Sequence, residues 1–457
     1  MIICKFGGTS VQDAEAMERV AGIIQKQLKQ KPVVVASAMG KTTNGLLEAA
    51  RTAAQGKRQE ALDLLHKLKE KHLKEAQRLG LPDSGGGVFE ETNAQFKDMS
   101  NIIKGLATLG ELTPRSMDAM ASFGERLSTL ILSQVLEMRG IPAELMDARQ
   151  CIITDENFTR ASPLFDHTDM AVKEQVLPVL KAGKVPVLQG FIGSTRGGIT
   201  TTIGRGGSDY SAAIIGAALE AYDIQIWTDV DGIMTTDPRM VPEARRVKVI
   251  SFDEAAELAY FGARVLHPAT ILPAVRKKIP VHVLNSYKPD QDGTLITDEA
   301  PACENPIKSI ACKKGITIVN ITSSRMLMAS GFLRAIFEIF DRFRVSVDVI
   351  STSEVSVSLT LDDTSRLWEV VTELKKISEV NVEGGKAIVC CVGDNLRNTA
   401  GVVHLVFSAI QDVNIHMISQ GASAINITFV IDEDRLAQAV RLLHDVFFQK
   451  TDPLVFE

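Results

Sequence analysis

Three short stretches of the chain combine charge with glycine or other small residues, a pairing that lets backbone N–H groups and a side chain converge on a phosphate. The first, Lys5-Phe6-Gly7-Gly8-Thr9-Ser10, places a lysine at the end of an apolar run and directly before two glycines. The second contains Gly40-Lys41-Thr42, but Val35 stands where a P-loop needs glycine, so that motif is excluded. The small groups Ser37, Ala38 and Thr43 read instead as lining for a substrate pocket. The third runs Thr200-Thr201-Thr202-Ile203-Gly204-Arg205-Gly206-Gly207-Ser208-Asp209-Tyr210-Ser211. Its acid closes the loop itself, unlike a dinucleotide fingerprint, and Arg205 offers a planar fork for a carboxylate or phosphate. Ser208 or Asp209 also suits the N-cap of a helix expected over 211–221. Any one glycine turn can simply reverse the chain; an Arg and an Asp between glycines make the third the most informative.

The elements that must hold these turns alternate. Apolar strands are expected at 2–6, 33–38, 185–191 and 224–229, with helical periodicity over 14–28 and an amphipathic helix over 59–79. Such alternation implies an α/β fold with a mostly parallel sheet, whose site lies at the carboxyl ends of its strands. At 45% hydrophobic and 23% charged residues the chain can bury a core, and a net charge of −6 argues against nucleic acid or an anionic membrane as partner. Six scattered cysteines without a CxxC pair disfavour zinc and a disulfide framework, so no metal site is expected within the chain. Without a signal peptide or a membrane-spanning run, a soluble cytoplasmic protein is expected.

The composition changes near residue 298, where two prolines mark a linker, and an internal repeat follows. Gly331-Phe332-Leu333-Arg334-Ala335-Ile336-Phe337 and Gly401-Val402-Val403-His404-Leu405-Val406-Phe407 stand about 70 residues apart, each after a short apolar strand. Each copy then predicts a strand (345–350; 415–419), another (355–361; 425–431) and a second helix (366–377; 435–447). These βαββα units resemble paired ACT domains, the amino-acid sensors of several enzyme families. The expected division is 1–297 for a catalytic domain, 298–312 for a linker, and 313–385 and 386–457 for two ACT domains that can interleave.

With Ser122-Phe123-Gly124-Glu125, Trp227-Thr228-Asp229-Val230-Asp231-Gly232 and Phe261-Gly262-Ala263-Arg264-Val265-Leu266-His267-Pro268 added, essentially the whole chain resembles an aspartate kinase of the amino-acid-kinase superfamily. The resemblance implies an amino-acid-kinase fold followed by two ferredoxin-like ACT domains, and ATP-dependent phosphorylation of the β-carboxylate of L-aspartate with Mg²⁺. By carry-over, Lys5, Asp209 and Arg264 would be catalytic. Ser37, Ala38, Thr43, Glu125, Arg205 and Ser208 would bind aspartate, Glu125 meeting its ammonium and Arg205 its α-carboxylate. Lys5, Gly7, Gly8, Thr228, Asp229, Met234, Arg239, Arg264 and Val265 would hold ATP, although Arg264 replaces the family's usual Lys and Met234 stands where some members have Tyr. The stretch 346–362 resembles the lysine-sensitive class, making Met326, Val347, Asp348, Thr352, Ser353 and Glu354 candidates for an effector site. A homodimer or dimer of dimers through the ACT domains is implied. The alternatives left open are another ACT-regulated amino-acid kinase and a non-catalytic amino-acid sensor.

Overall fold

Strand β1 (Ile2–Phe6) is buried along its whole length, as a parallel strand covered on both faces must be. The computed structural model describes residues 1–82, 87–204, 206–262, 268–323 and 331–457. The chain divides into two units, Met1–Gly232 with Val265–Glu299, and Ile233–Arg264 with Ala300–Glu457.

In the first unit β1 lies between β2 (Pro32–Ala36) and β8 (Asp223–Thr228), parallel to both. Outward on one side come β5 (Val185–Gln189) and β3 (Ala143–Leu145), and on the other β10 (Val281–Asn285) and the antiparallel β11 (Thr294–Thr297). A small second sheet joins β4 (Ile153–Thr154), β6 (Ile192–Thr195) and β7 (Thr200–Thr202). Helix α1 (Ala14–Gln27) starts at Asp13, whose side chain accepts from Ala16 N, and buries Met17, Val20 and Ile24. The helices α2 (Thr42–Ala54), α3 (Arg58–Arg78) and α4 (Val88–Leu109) pack with α5 (Pro114–Met138) around Leu46, Leu65, Phe96 and Leu127. Helix α6 (Phe165–Lys181) follows, and α7 (Gly207–Leu219) packs on β1 and β8.

The second unit is built on a six-stranded antiparallel sheet in the order β13 (Ile350–Thr352), β14 (Ser356–Leu361), β12 (Ser309–Thr322), β15 (Glu379–Val392), β17 (Asn426–Asp432), β16 (Ile415–Gln420). Helices α10 (Phe332–Phe343) and α11 (Leu367–Leu374) belong to one repeat, α12 (Val402–Ala409) and α13 (Leu436–Phe447) to the other. Strand β15 runs unbroken across the boundary expected at 385/386, and β12 begins inside the expected linker, so both repeats draw on the same two long strands. The strand expected over 345–350 is confined to Ile350 and beyond: Asp348 N donates to the Thr360 carbonyl and Val349 N to its hydroxyl, contacts that start no regular ladder.

The largest departure from the expected division concerns Ile233–Arg264, read as part of the catalytic domain but clustered with the second unit. It carries β9 (Val249–Ser251) and α8 (Phe252–Tyr260). Ile310 N donates to Thr235 O at 2.7 Å and the Ser309 hydroxyl to Met234 O at 2.7 Å. Lys308 and Glu254, each 2% exposed, form an ion pair at 2.9 Å, and Asn426 Nδ2 donates to Glu257 at 2.7 Å. A paired charge buried this deeply ties α8 to β12, because separating the partners would strand either charge.

Candidate active site

The site is built on the turn after β1. Lys5 is the one charged residue of a buried strand, and its ammonium lies 2.6 Å from Asp209 Oδ1, with both side chains largely buried. Its neighbour Gly7 donates its N–H to Trp227 O at 3.1 Å. A Cβ on Gly8 would lie 3.1 Å from the carbonyls of both Ala38 and Gly40, so a larger residue would press the turns after β1 and β2 apart by a few tenths of an ångström.

Asp209 arrives by a route the sequence reading placed wrongly. Gly204 (φ 80°) and Gly206 (φ 71°) are both left-handed, closing a tight turn with Gly207 N bonded to Gly204 O at 3.0 Å. Helix α7 therefore starts at Gly207, ahead of residue 211, with Gly206 at its N-cap. Ser208 and Asp209 sit in the first helical turn, where an acid is favoured by the helix dipole, and neither is the cap.

Glu125 comes from the middle of α5. A Cβ on Gly124 would sit 2.9 Å from Ala38 Cβ and 3.0 Å from Thr43 Oγ1, so the glycine lets α5 press against the turn after β2. The Glu125 side chain is only 4% exposed, and burial pushes its carboxyl up to about 8 although the Ala38 N–H hydrogen-bonds it. Its Oε2 has no hydrogen-bond partner among the described residues.

These groups open onto one cavity of about 270 Å³, lined by Lys5, Ser37, Thr43, Glu125, Ser208 and Asp209. Phe191, Gly204, Gly206 and Gly207 complete its wall. Ala38 contributes through its backbone N–H to Glu125. Thr228 and Asp229 stand at the end of β8, beside β1, with the Thr228 hydroxyl donating to Asp229 at 3.2 Å. Met234 and Arg239 fall in the second unit, where Arg239 pairs with Asp237 at 2.6 Å. Arg205, Arg264, Val265 and Met326, like His267, lie outside the described residues.

Phe191 is a wall residue that sequence reasoning missed. It is held at φ 68°, unusual for a bulky side chain, with its N–H donating to Ser211 Oγ at 2.9 Å and its carbonyl accepting from Ile203 N at 3.0 Å. Gly207 passes so close that a Cβ there would be 2.6 Å from the ring. The available clue was the Gly190-Phe191 pair at a strand end, which also reads as ordinary core.

Residues 1–285 match the amino acid kinase family and residues 389–447 an ACT domain. The lysine-sensitive aspartokinase 3 of Escherichia coli is 40% identical, with 98% of this chain and 99% of that protein covered. Aspartokinase 1, chloroplastic, of Arabidopsis thaliana is also 40% identical, over 98% of this chain and 80% of its own length. The chain belongs to the aspartokinase family. The crystal structure of E. coli aspartokinase III with aspartate and ADP superposes with a TM-score of 0.85 at 38% identity, covering 98% of this chain and 100% of that one. The same enzyme with lysine and aspartate gives 0.84 at the same identity and coverage.

In this aspartokinase chain, the effector candidates lie around the start of β13. Asp348 is ion-paired to Lys313 of β12 at 3.0 Å, and Lys313 also reaches Asp362 at 2.7 Å. Burial raises the Asp348 carboxyl above the usual range, with Lys313 opposing. For Lys313, burial acts to lower the ammonium, but Asp362 and Asp348 outweigh it and hold it up. Val347 packs against the core of Val319, Phe340 and Leu359. Thr352, Ser353 and Glu354 are exposed, and Ser353 closes a turn through its N–H to Ser356 O at 2.8 Å.

Proposed function

We propose that this chain transfers the γ-phosphoryl group of ATP to the β-carboxylate of L-aspartate, giving 4-phospho-L-aspartate and ADP, under feedback control by lysine. The observation that carries the reading is Glu125: a buried carboxylate with a free acceptor atom, opening onto the same cavity as the Lys5–Asp209 pair. A buried acid of this kind calls for a cationic partner, and the α-ammonium of an amino acid supplies one.

The chemistry then follows from charge. Aspartate's β-carboxylate, with a reference pKa of about 3.9, is already ionised at pH 7 and needs no general base. The barrier is the approach of an anion to a polyanion, so catalysis rests on positioning and neutralisation. Glu125 holds the ammonium and Arg205 the α-carboxylate, while Ser37, Ala38, Thr43 and Ser208 shape the pocket around the chain between them. Lys5 and Arg264 meet the charge that develops on the transferring group, and Asp209 orients Lys5 through their ion pair. The glycine turn at Gly7 and Gly8, with Thr228 and Asp229 at the end of β8 beside it, takes the nucleotide. Mg²⁺ would enter with the nucleotide, held by its phosphates, and would neutralise their charge.

For the effector, an acid already matched to an internal lysine ammonium is chemically suited to free lysine. We assign Asp348, with Met326, Val347, Thr352, Ser353 and Glu354, to that site, in a cytoplasmic homodimer or dimer of dimers joined through the ACT repeats. The test is ADP release from ATP and Mg²⁺ with aspartate, glutamate, acetylglutamate or a nucleoside monophosphate as acceptor, with and without lysine or threonine. Aspartate-dependent turnover inhibited by lysine is expected; turnover with another acceptor alone would overturn the reading.

A further inference from the structure

Asp118 is a buried acid that the mechanism above does not use. Asp118 lies on α5 two turns before Glu125 and is 1% exposed. Its Oδ2 accepts from Thr159 N at 2.9 Å and from Thr202 N at 3.0 Å, and its Oδ1 accepts from the Thr202 hydroxyl at 2.7 Å. Thr202 ends β7 and leads through Ile203 to Gly204 in the cavity wall. Thr159, held at φ 71°, presents its carbonyl 3.5 Å from where a Cβ on Gly204 would lie. One carboxylate thus fastens both chain segments that flank Gly204 to the helix that carries Glu125.

Burying a carboxylate is costly unless donors surround it, so a structure that needed only to join a loop to a helix could use an apolar contact. Three directional bonds instead fix distance and orientation. We infer that Asp118 is a positioning residue, setting the span between Glu125 and the cavity wall at Gly204 and thereby the affinity and length selectivity for the amino-acid substrate. Substrate groups held at two ends tolerate displacements of only about 0.5 Å, and a shift of 1 Å costs on the order of 100-fold. The inference rests on the aspartate reading, and it gives Asp118 no contact with the substrate itself.

The experiment is steady-state kinetics on the full chain for wild type, Asp118→Ala and Asp118→Asn, varying aspartate, glutamate and ATP in turn. Asparagine keeps one oxygen for the two backbone donors but loses the acceptor of the Thr202 hydroxyl, so it should raise the aspartate KM severalfold, less than alanine does. Asp118→Ala is expected to raise the KM for aspartate roughly 10- to 100-fold, leave the KM for ATP within about twofold, and narrow the preference for aspartate over glutamate. Should the alanine variant fail to fold, Asp118→Asn decides: a severalfold rise in aspartate KM at unchanged ATP KM supports the inference. Parallel rises in both KM values, or an unchanged aspartate KM in folded variants, would overturn it. Wild type making no ADP with aspartate would instead refute the aspartate reading, so the two failures are distinguishable.

Discussion

Replacing Glu125 with glutamine separates the cost of the buried acid from its use. Burial raises the carboxyl from its ordinary 4.5 to about 8 in the folded chain. Because the folded value lies above the unfolded one, the associated stability is fully present below pH 4.5 and is lost as pH rises to about 8. Each pH unit in that window costs about 1.4 kcal/mol, so at pH 7 the wild-type chain has lost about 3 kcal/mol that Glu125→Gln, which does not titrate, retains. Urea unfolding of both proteins without substrates, from pH 4 to 9, gives the difference directly. Glutamine should gain on wild type up to about pH 8 and then hold level. Function should move the other way, because an ammonium beside the carboxyl favours its ionised form. Wild-type aspartate affinity should therefore rise by up to about tenfold per pH unit towards pH 8, with a proton released on binding. In Glu125→Gln the aspartate KM should rise by 30-fold or more, on the order of the 2–5 kcal/mol lost with one partner of a buried charge pair, and lose this pH dependence. A stability difference that is flat between pH 5 and 8 would refute the reasoning.

Three further substitutions test other parts of the account. Lys5→Ala should lower kcat roughly 100- to 1,000-fold while ATP binding, followed by calorimetry, changes little; near-normal turnover would remove Lys5 from the mechanism. Gly124→Ala pushes a methyl group to within 2.9 Å of Ala38 Cβ, so thermal unfolding should show a loss of about 1–3 kcal/mol and assays a raised aspartate KM. Unchanged values would show that α5 can shift at no cost. Asp348→Asn should weaken lysine inhibition at least about tenfold with uninhibited kcat retained, since Lys313 still has Asp362 as partner. Undiminished lysine inhibition in that variant would place the effector elsewhere.

How much was legible in the sequence follows the range of the interactions involved. Lys5 and Asp209 stood out because each lies in a local signature of charge and glycine, and Glu125 through the resemblance carried by Ser122-Phe123-Gly124-Glu125; the structure brings all three to one cavity. The start of α7 was misread because Gly-Gly-Ser-Asp looks like a loop ending in a cap, whereas left-handed Gly204 and Gly206 complete the turn earlier. Asp118 resembles any acid on an amphipathic helix; its donors, Thr159 and Thr202, are distant in the chain. The allegiance of Ile233–Arg264 was invisible for the same reason. It depends on Lys308 meeting Glu254 and on Ile310 reaching Thr235, pairings without periodicity or motif. Alternation does foretell strands, yet 345–349 alternates and forms none, because Asp348 is held by Lys313 and by single bonds to Thr360.

The central claim is that a buried carboxylate, Glu125, selects an amino acid whose own carboxylate then takes the phosphoryl group. It is tested most directly by comparing aspartate with succinate, which lacks only the ammonium. With ATP and Mg²⁺ in excess, the acyl phosphate trapped by hydroxylamine should equal the ADP formed with aspartate and be undetectable with succinate at the same concentration. Equal turnover on both, or none on aspartate, would contradict the account.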